Sequence, residues 1–430
     1  MRKKVIAIIR EYFVKSNYKQ NVLSMLLGRI LAQGLPIVLM PLFTRIYSPV
    51  EFGIFGVYMT IVSIVSMIST GRYNLAIILP RKKSKVLGLF LLSSILSIAI
   101  SFIFLIFMYF NQGNIFVLLN AEELSSYVII IFLNILFVGL YESVFYYGLR
   151  YKKYKILSKN IILQSIIITL VRLLWGYYLD TSSGLMIAYL FAYTISYVGL
   201  LLQLDLLKEN LFKREESILK LMKRYNKFPK FSLLADTLSV GANLSPNLFL
   251  NKIFGSINAG FYSMADKVLG SPVWFAMSSV GDVFKQEAAE QYREKGTCYN
   301  IFIQTVKGLF IFAFLPFLFL FIFSPTIIPI VLGSDWDSVG EYIRIFSIMY
   351  FLRFVVGPVS YIVYIVDRQR LNILFQGLKF GSIVLSFTYG IYSHNLYQTL
   401  ILLTILTSIS YIIIFKISLT LAKNCKYSKK

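Results

Sequence analysis

At 430 residues the chain is long enough for two or three water-soluble domains, but 57% of it is hydrophobic and only 15% is charged. So few charges cannot cover a water-facing surface, and most of the surface must face lipid. Lys and Arg outnumber Asp and Glu by 43 to 20, a balance that alone would suggest nucleic acid or an anionic membrane surface, while two cysteines and one histidine exclude disulfide frameworks, cysteine-built zinc sites and histidine relays.

Residues 1–20 mix Val5, Ile8, Ile9, Phe13 and Val14 with Arg10, Lys15 and Lys19 and read as an interfacial amphipathic helix. The run from Val22 to Thr44 is too long for the core of a signal peptide. Apolar runs long enough to span then follow at about 21–44, 52–70, 86–110, 126–147, 160–179, 183–203, 231–251, 257–281, 301–323, 345–366, 373–392 and 396–415. None alternates with a period of two, so a helical bundle is expected rather than a barrel. The seventh carries Asp236, Asn243 and Asn247 and must face protein or water.

With the N-terminus inside, the inner segments hold 34 of the 43 cations and the outer loops three, Arg45, Lys252 and Arg344. The expected organisation is a cytosolic interfacial helix at 1–20, an N-lobe at 21–203, a basic cytosolic linker at 204–230, a C-lobe at 231–415 and a cytosolic tail at 416–430. Shifting the chain by 207 residues lays Arg45-Ile46-Tyr47 on Lys252-Ile253-Phe254, Gly53 on Gly260 and Gly34 on Gly241. A weaker echo relates Tyr151-Lys152-Lys153 to Arg368-Gln369-Arg370. Six spans per half give two parallel lobes about an axis along the membrane normal, a transporter-like arrangement around a central cavity.

Charges inside spans are costly and mark pathways or pairs. Arg29, Arg172, Lys267, Lys307, Arg353 and Lys379 qualify, with Glu142, Asp236 and Asp266 against them. Lys307 and Lys379 start close to the inner face and read as snorkelling side chains. Arg29, Arg172, Lys267 and Arg353 are the candidates for holding a substrate, with Arg353, near the middle of its span, foremost. Asp236, Asp266 and Glu142 are candidates for gating or ion coupling, and the repeat places Asp236 opposite Arg29 as a candidate pair. The excess of positive charge suits an anionic substrate, because guanidinium groups bind phosphate oxygens through a planar fork. Prolines at 36, 41, 246, 272, 316 and 358 interrupt the same spans.

Nothing points to a catalytic centre, a metal or a cofactor. No glycine-rich phosphate loop is present. Asp335-Trp336-Asp337 reads as a solvated cap, His394 as a solvated turn residue, and Arg81-Lys82-Lys83-Ser84-Lys85 as a positive-inside anchor.

The blocks Pro41-Leu42-Phe43-Thr44-Arg45-Ile46-Tyr47-Ser48-Pro49-Val50-Glu51-Phe52-Gly53 and Arg72-Tyr73-Asn74-Leu75-Ala76-Ile77-Ile78-Leu79-Pro80 resemble the N-terminal pattern of Wzx-type polysaccharide flippases. Tyr225-Asn226-Lys227-Phe228-Pro229-Lys230-Phe231, Gly260-Phe261-Tyr262 and the stretch from Trp336 to Ile345 support it. The resemblance implies membership of the multidrug/oligosaccharidyl-lipid/polysaccharide exporter superfamily and an all-α integral membrane protein of about twelve spans in two lobes. It implies a substrate, an undecaprenyl-pyrophosphate-linked oligosaccharide for O-antigen or capsule, moved between leaflets of the bacterial inner membrane. Membrane lipid, a polysaccharide polymerase and chain-length machinery are the implied partners, nucleic acid is not, and Arg29 and Arg353 would contact the pyrophosphate. A drug or small-molecule antiporter of the same superfamily is the alternative.

Overall fold

The structure, a computed structural model, describes residues 30–32, 34–80, 82–179, 183–208, 216–366, 368 and 370–424. Its principal helices are α1 (Met40–Ile46), α2 (Pro49–Ser69), α3 (Lys83–Leu119), α4 (Val128–Arg150), α5 (Tyr154–Leu179), α6 (Ser183–Gln203), α7 (Leu233–Phe254), α8 (Ser256–Phe275), α9 (Tyr299–Leu332), α10 (Asp337–Val359), α11 (Arg370–Ser393) and α12 (Leu396–Asn424). Each corresponds to one of the twelve expected spans, and α1 is the end of the first, of which residues 21–29 and 33 lie outside the described residues. Among the described residues nine helices are long and apolar enough to cross a membrane. Their lipid-facing sides expose residues such as Ile103, Phe110, Ile311, Phe312 and Leu385, as a bundle solvated by hydrocarbon requires.

Helices α7 and α8 fall outside those nine because polar residues interrupt them, and those residues turn inward. Asn247 Nδ2 donates to Ser263 Oγ at 2.6 Å, and fully buried Asn251 donates through Nδ2 to the Asn120 carbonyl at 2.9 Å. Three spans overrun their expected ends, α12 reaching Asn424, and the two longest are α3 with 37 residues and α9 with 34. At a rise of about 1.5 Å per residue, either exceeds a hydrocarbon core of roughly 30 Å. Pro325 and Pro329 lie inside the overrunning end of α9. The start of α2 is set by chemistry in the sequence itself. Ser48 N donates to Glu51 Oε2 at 2.7 Å, Glu51 N donates back to Ser48 Oγ at 3.4 Å, and Pro49 opens the helix, a reciprocal cap that fixes where the span begins.

The chain separates into two compact units. The first comprises Met1–Ile46, Tyr58–Val117 and Glu122–Thr237; the second comprises Tyr47–Val57, Leu118–Ala121 and Leu238–Lys430. In the first, α4, α5 and α6 pack together, and a core of Phe90, Tyr141, Val144, Tyr147, Leu157 and Leu200 closes one end. In the second, α10 is the central helix, touching α8, α9 and α12, and its far end packs on Phe284, Phe302 and Tyr411.

Part of the basic linker belongs to the first core. The short helix Ile218–Arg224 drops Leu221, fully buried, beside Gly88 of α3, where a Cβ would stand 2.5 Å from the leucine methyl. Tyr73 Oη donates to the Met222 carbonyl at 3.1 Å, and Lys85 Nζ lies 2.6 Å from Glu216 Oε1. The hydrogen bond from Lys85 holds the Glu216 carboxyl below the usual carboxylate range, with the charges of Lys85 and then Arg224 adding to it. A carboxyl depressed by folding stabilises the docked linker above its ordinary pKa of about 4.3, and that contribution disappears as pH falls through the depressed value. Amide exchange across 216–224 is therefore expected to stay slow from pH 7 to 5 and to quicken below about pH 4, while Glu216→Gln quickens it already at pH 7.

Trp336, expected in a solvated cap, is completely buried between exposed Asp335 and Asp337. Its ring stands edge-on to Phe52 at 5.3 Å and to Phe261 at 6.2 Å, because the turn after Gly333 (φ 100°) folds the indole under α2 and α8. His394 lies exposed in the turn between α11 and α12, as expected.

Candidate functional site

Both units carry charge within their spans, and the two sets differ. In the first, α2 ends in a tight turn in which Gly71 and Arg72 both have positive φ (54° and 57°). That turn sets the Arg72 guanidinium 2.8 Å from Asp236 at the start of α7. Asp236, expected to face Arg29, is thus paired with a cation from the loop after α2; Arg29 itself lies outside the described residues. One turn on, Thr70 Oγ1 donates to Asn74 Oδ1 at 3.2 Å, and Asn74 Nδ2 donates to Glu142 Oε2 of α4 at 3.2 Å. Arg172 of α5 is buried, and it and Glu142 both lie within electrostatic reach of the Tyr189 ring of α6. The first unit therefore sets two arginines among two carboxylates.

The pairing of Arg72 with Asp236 is half-exposed, so its worth is modest, at most about 1 kcal/mol. Arg72→Ala and Asp236→Asn are each expected to destabilise the protein slightly, and the double variant by less than their sum. A thermal-melt double-mutant cycle measures that coupling, and strict additivity would show that the ion pair contributes nothing.

In the second unit the charges converge on one small cavity of about 50 Å³. Arg353 of α10 and Lys379 of α11 line it together with Asn243, Tyr262, Thr407 and Tyr411. Arg353 Nη2 donates to Asn243 Oδ1 at a long 3.5 Å, and its guanidinium carbon stands 5.6 Å from the Tyr350 ring centroid. Tyr350 in turn donates its hydroxyl to Asp266 of α8. Asn243 and Tyr350 hold the guanidinium within the wall, so that among the described residues two cations line one cavity, with the Asp266 carboxylate behind Tyr350. Lys379 corrects the sequence reading: its helix face aims it into this cavity rather than along the membrane surface. Lys307, by contrast, is exposed as a snorkelling side chain would be.

Lys267, one position after Asp266, does not share the cavity. It lays its ammonium 4.4 Å from the centroid of Phe52. The sequence reading missed Arg72, Asn74 and Lys379. Arg72 and Asn74 belong to the block 72–80 that carries the family resemblance, which was the available signal.

The helices bearing these groups are held by an unusually close crossing. A Cβ on Gly53 of α2 would overlap the Ser256 carbonyl, and a Cβ on Gly260 of α8 would overlap the Pro49 carbonyl. Gly53 and Gly260 are equivalent under the 207-residue shift, and so are Pro49 and Ser256. Two backbones touching through mutually equivalent residues is the contact expected where a pseudo-twofold axis passes between helices, and it gives the repeat a physical basis.

Comparison with known proteins agrees with this architecture. The polysaccharide biosynthesis protein family matches residues 42–341. No curated protein matches significantly. Among solved structures, the inward-facing form of a multidrug resistance MATE transporter of the MOP superfamily superposes with a TM-score of 0.71 at 13% identity, over 90% of this chain and 93% of that one. An outward-facing MATE transporter of the same superfamily gives 0.62 at 13% identity, over 95% and 96%. A MOP-superfamily transporter from Pyrococcus furiosus Vc1, described as having a binding pocket of reverse polarity, gives 0.63 at 13% identity, over 96% and 98%. The chain belongs to the polysaccharide biosynthesis protein family and carries the membrane-spanning fold of the MOP-superfamily transporters.

Proposed function

We propose that this protein is a Wzx-type flippase of the bacterial cytoplasmic membrane, carrying undecaprenyl-pyrophosphate-linked oligosaccharide to the outer leaflet for O-antigen or capsule assembly. The observation that carries this reading is the cavity at which Arg353 and Lys379 converge beside the single carboxylate of Asp266. Two cations around a small polar recess suit one phosphoryl group of the lipid headgroup, the guanidinium through its planar fork and the ammonium as a point charge. The lysine and arginine distribution supports termini in the cytosol, which makes the loops before Pro49 and Ser256 outer ones. Membrane lipid surrounds the polyprenyl tail, and a polymerase with its chain-length partners would receive the product.

The reverse-polarity pocket described for the Pyrococcus transporter, for which a different function is suggested, is consistent with a fold that is not tied to one pocket polarity. A drug antiporter of the same superfamily is the second reading. It would need a carboxylate open to a cationic drug, and Glu142 and Asp266 are engaged by Asn74 and Tyr350. Deleting the gene and analysing lipid-linked sugar tests the proposal. Glycan accumulating on undecaprenyl pyrophosphate at the inner leaflet supports it, and unaltered surface polysaccharide would sink it.

A further inference from the structure

We infer that Lys267 and Phe52 form a latch on a closed outer gate, and that an anion drawing Lys267 off the Phe52 ring releases the gate. The inference rests on this chain being a transporter with Pro49 and Ser256 at the outer face, and not on which glycan it carries.

The gate is the crossing of α2 and α8. At Gly53 and Gly260 the two backbones are in direct contact, so nothing passes there while they touch. Beside the crossing, Phe52 is 2% exposed and meets Trp336 edge-on, and Trp336 in turn meets Phe261. Gly56, one turn deeper on α2, leaves room only for the Asn247 amide, which is held by Ser263. Among the described residues these groups fill the crossing as a plug.

Lys267 lies seven residues beyond Gly260 along α8, roughly 10 Å deeper in the membrane. Side chains on a helix lean toward its N-terminus, which on α8 is the outer end. The Lys267 stem therefore runs back up to the plug and ends 4.4 Å from the centroid of the Phe52 ring. One ring is thus shared between the aromatic plug and an intramembrane cation. A desolvated ammonium over a phenyl face is held by the ring quadrupole, an attraction weaker than that of a phosphoryl oxygen. A phosphate-bearing headgroup reaching the depth of Lys267 competes for the ammonium and wins. Phe52 then loses its grip on α8, and the glycine crossing is free to part. A neutral or cationic molecule does not compete with the ring for the ammonium and leaves the latch closed. Lys267, expected as a simple substrate ligand, becomes the residue through which the substrate's charge is felt by the gate.

Ala259, fully buried and equivalent to Phe52 under the repeat, is a mild site for a reporter. With Cys298 replaced by alanine and Cys425 by serine, Ala259→Cys in proteoliposomes is labelled from outside with a membrane-impermeant maleimide. Labelling is expected to be slow in this parent. Phe52→Leu and Lys267→Gln are each expected to raise the rate between about two- and thirty-fold, the range of one cation–π contact, and Lys267→Arg is expected to keep it low. The two losses together should exceed neither alone by much, since both break one contact. Inorganic pyrophosphate should quicken labelling in the parent and not in Lys267→Gln. Variants are compared only where elution and melting match the parent. Equal rates in the parent, Phe52→Leu and Lys267→Gln would overturn the latch, as would pyrophosphate leaving the parent unchanged or acting as strongly on Lys267→Gln. None of these outcomes depends on lipid-linked sugar, so failure of the latch and failure of the flippase reading are read separately.

Discussion

Alanine at Gly53 or at Gly260 is expected to cost the protein about 1–3 kcal/mol and to lower its melting temperature by roughly 2–12 °C. The reason is that the obstacle facing each new methyl group is a backbone carbonyl, of Ser256 or of Pro49, and a carbonyl in a helix cannot rotate aside as a side chain would. The helices must separate along the contact, and Phe52, Trp336 and Phe261 separate with them. Once parted by one methyl group, the helices accommodate the second at little extra cost. The double variant should therefore melt close to the worse single variant, well short of the sum. Melting of the purified single and double variants checks this. Additive losses would mean that the two glycines report on separate contacts. As a control, alanine at Gly113 or Gly308, where a Cβ meets nothing within 4 Å, should be silent.

Replacing Arg353 by alanine is expected to impair transport about ten- to a hundredfold, the loss of one or two charge-assisted hydrogen bonds to an anion. It also removes the positive charge near the partly buried Asp266 carboxylate, which Tyr350 hydrogen-bonds, so the protein is expected to lose some stability as well. The two effects separate with a second change. Arg353→Ala with Asp266→Asn should recover folding, read as melting temperature, and should leave transport impaired. Arg353→Lys keeps the charge and loses the fork, so it should fold and transport at an intermediate rate. Lys379→Gln should weaken transport without the loss of stability, since it leaves one cation beside one carboxylate. Equal transport by Arg353→Ala/Asp266→Asn and the parent would remove this cavity from the substrate path.

The twelve helices were legible because lipid imposes one rule on every span: about twenty apolar residues with internal hydrogen bonds. Their ends were less so. Asn111, Gln112 and Asn114 suggest an exit from the membrane, yet none of them stops a helix, and α3 continues to Leu119. Lys379 was read from its depth along the chain, whereas its role follows from the face of α11 it occupies, which depends on where Thr407 and Tyr411 of α12 lie. Trp336 was read from its aspartate neighbours. On a tight turn adjacent residues point opposite ways, so two exposed carboxylates said nothing about the indole between them. Gly53 and Gly260 were recognised as a matching pair, but a sequence offset states equivalence and not contact. Arg353 and Asp266 were singled out separately from the cost of burying charge; that Tyr350 lies between them follows only from the packing of α8 on α10.

The reciprocal cap at Ser48 and Glu51 lies within a stretch, Tyr47–Val57, that comes from the first half of the chain and packs with the second. The boundary between the two sequence halves and the boundary between the two packed units therefore differ. At the crossing the two equivalent segments match in backbone and differ in side chain: Phe52 faces Lys267, and its counterpart under the 207-residue shift, Ala259, carries only a methyl group. The joint is symmetric in its main chain and has a handle on one side only.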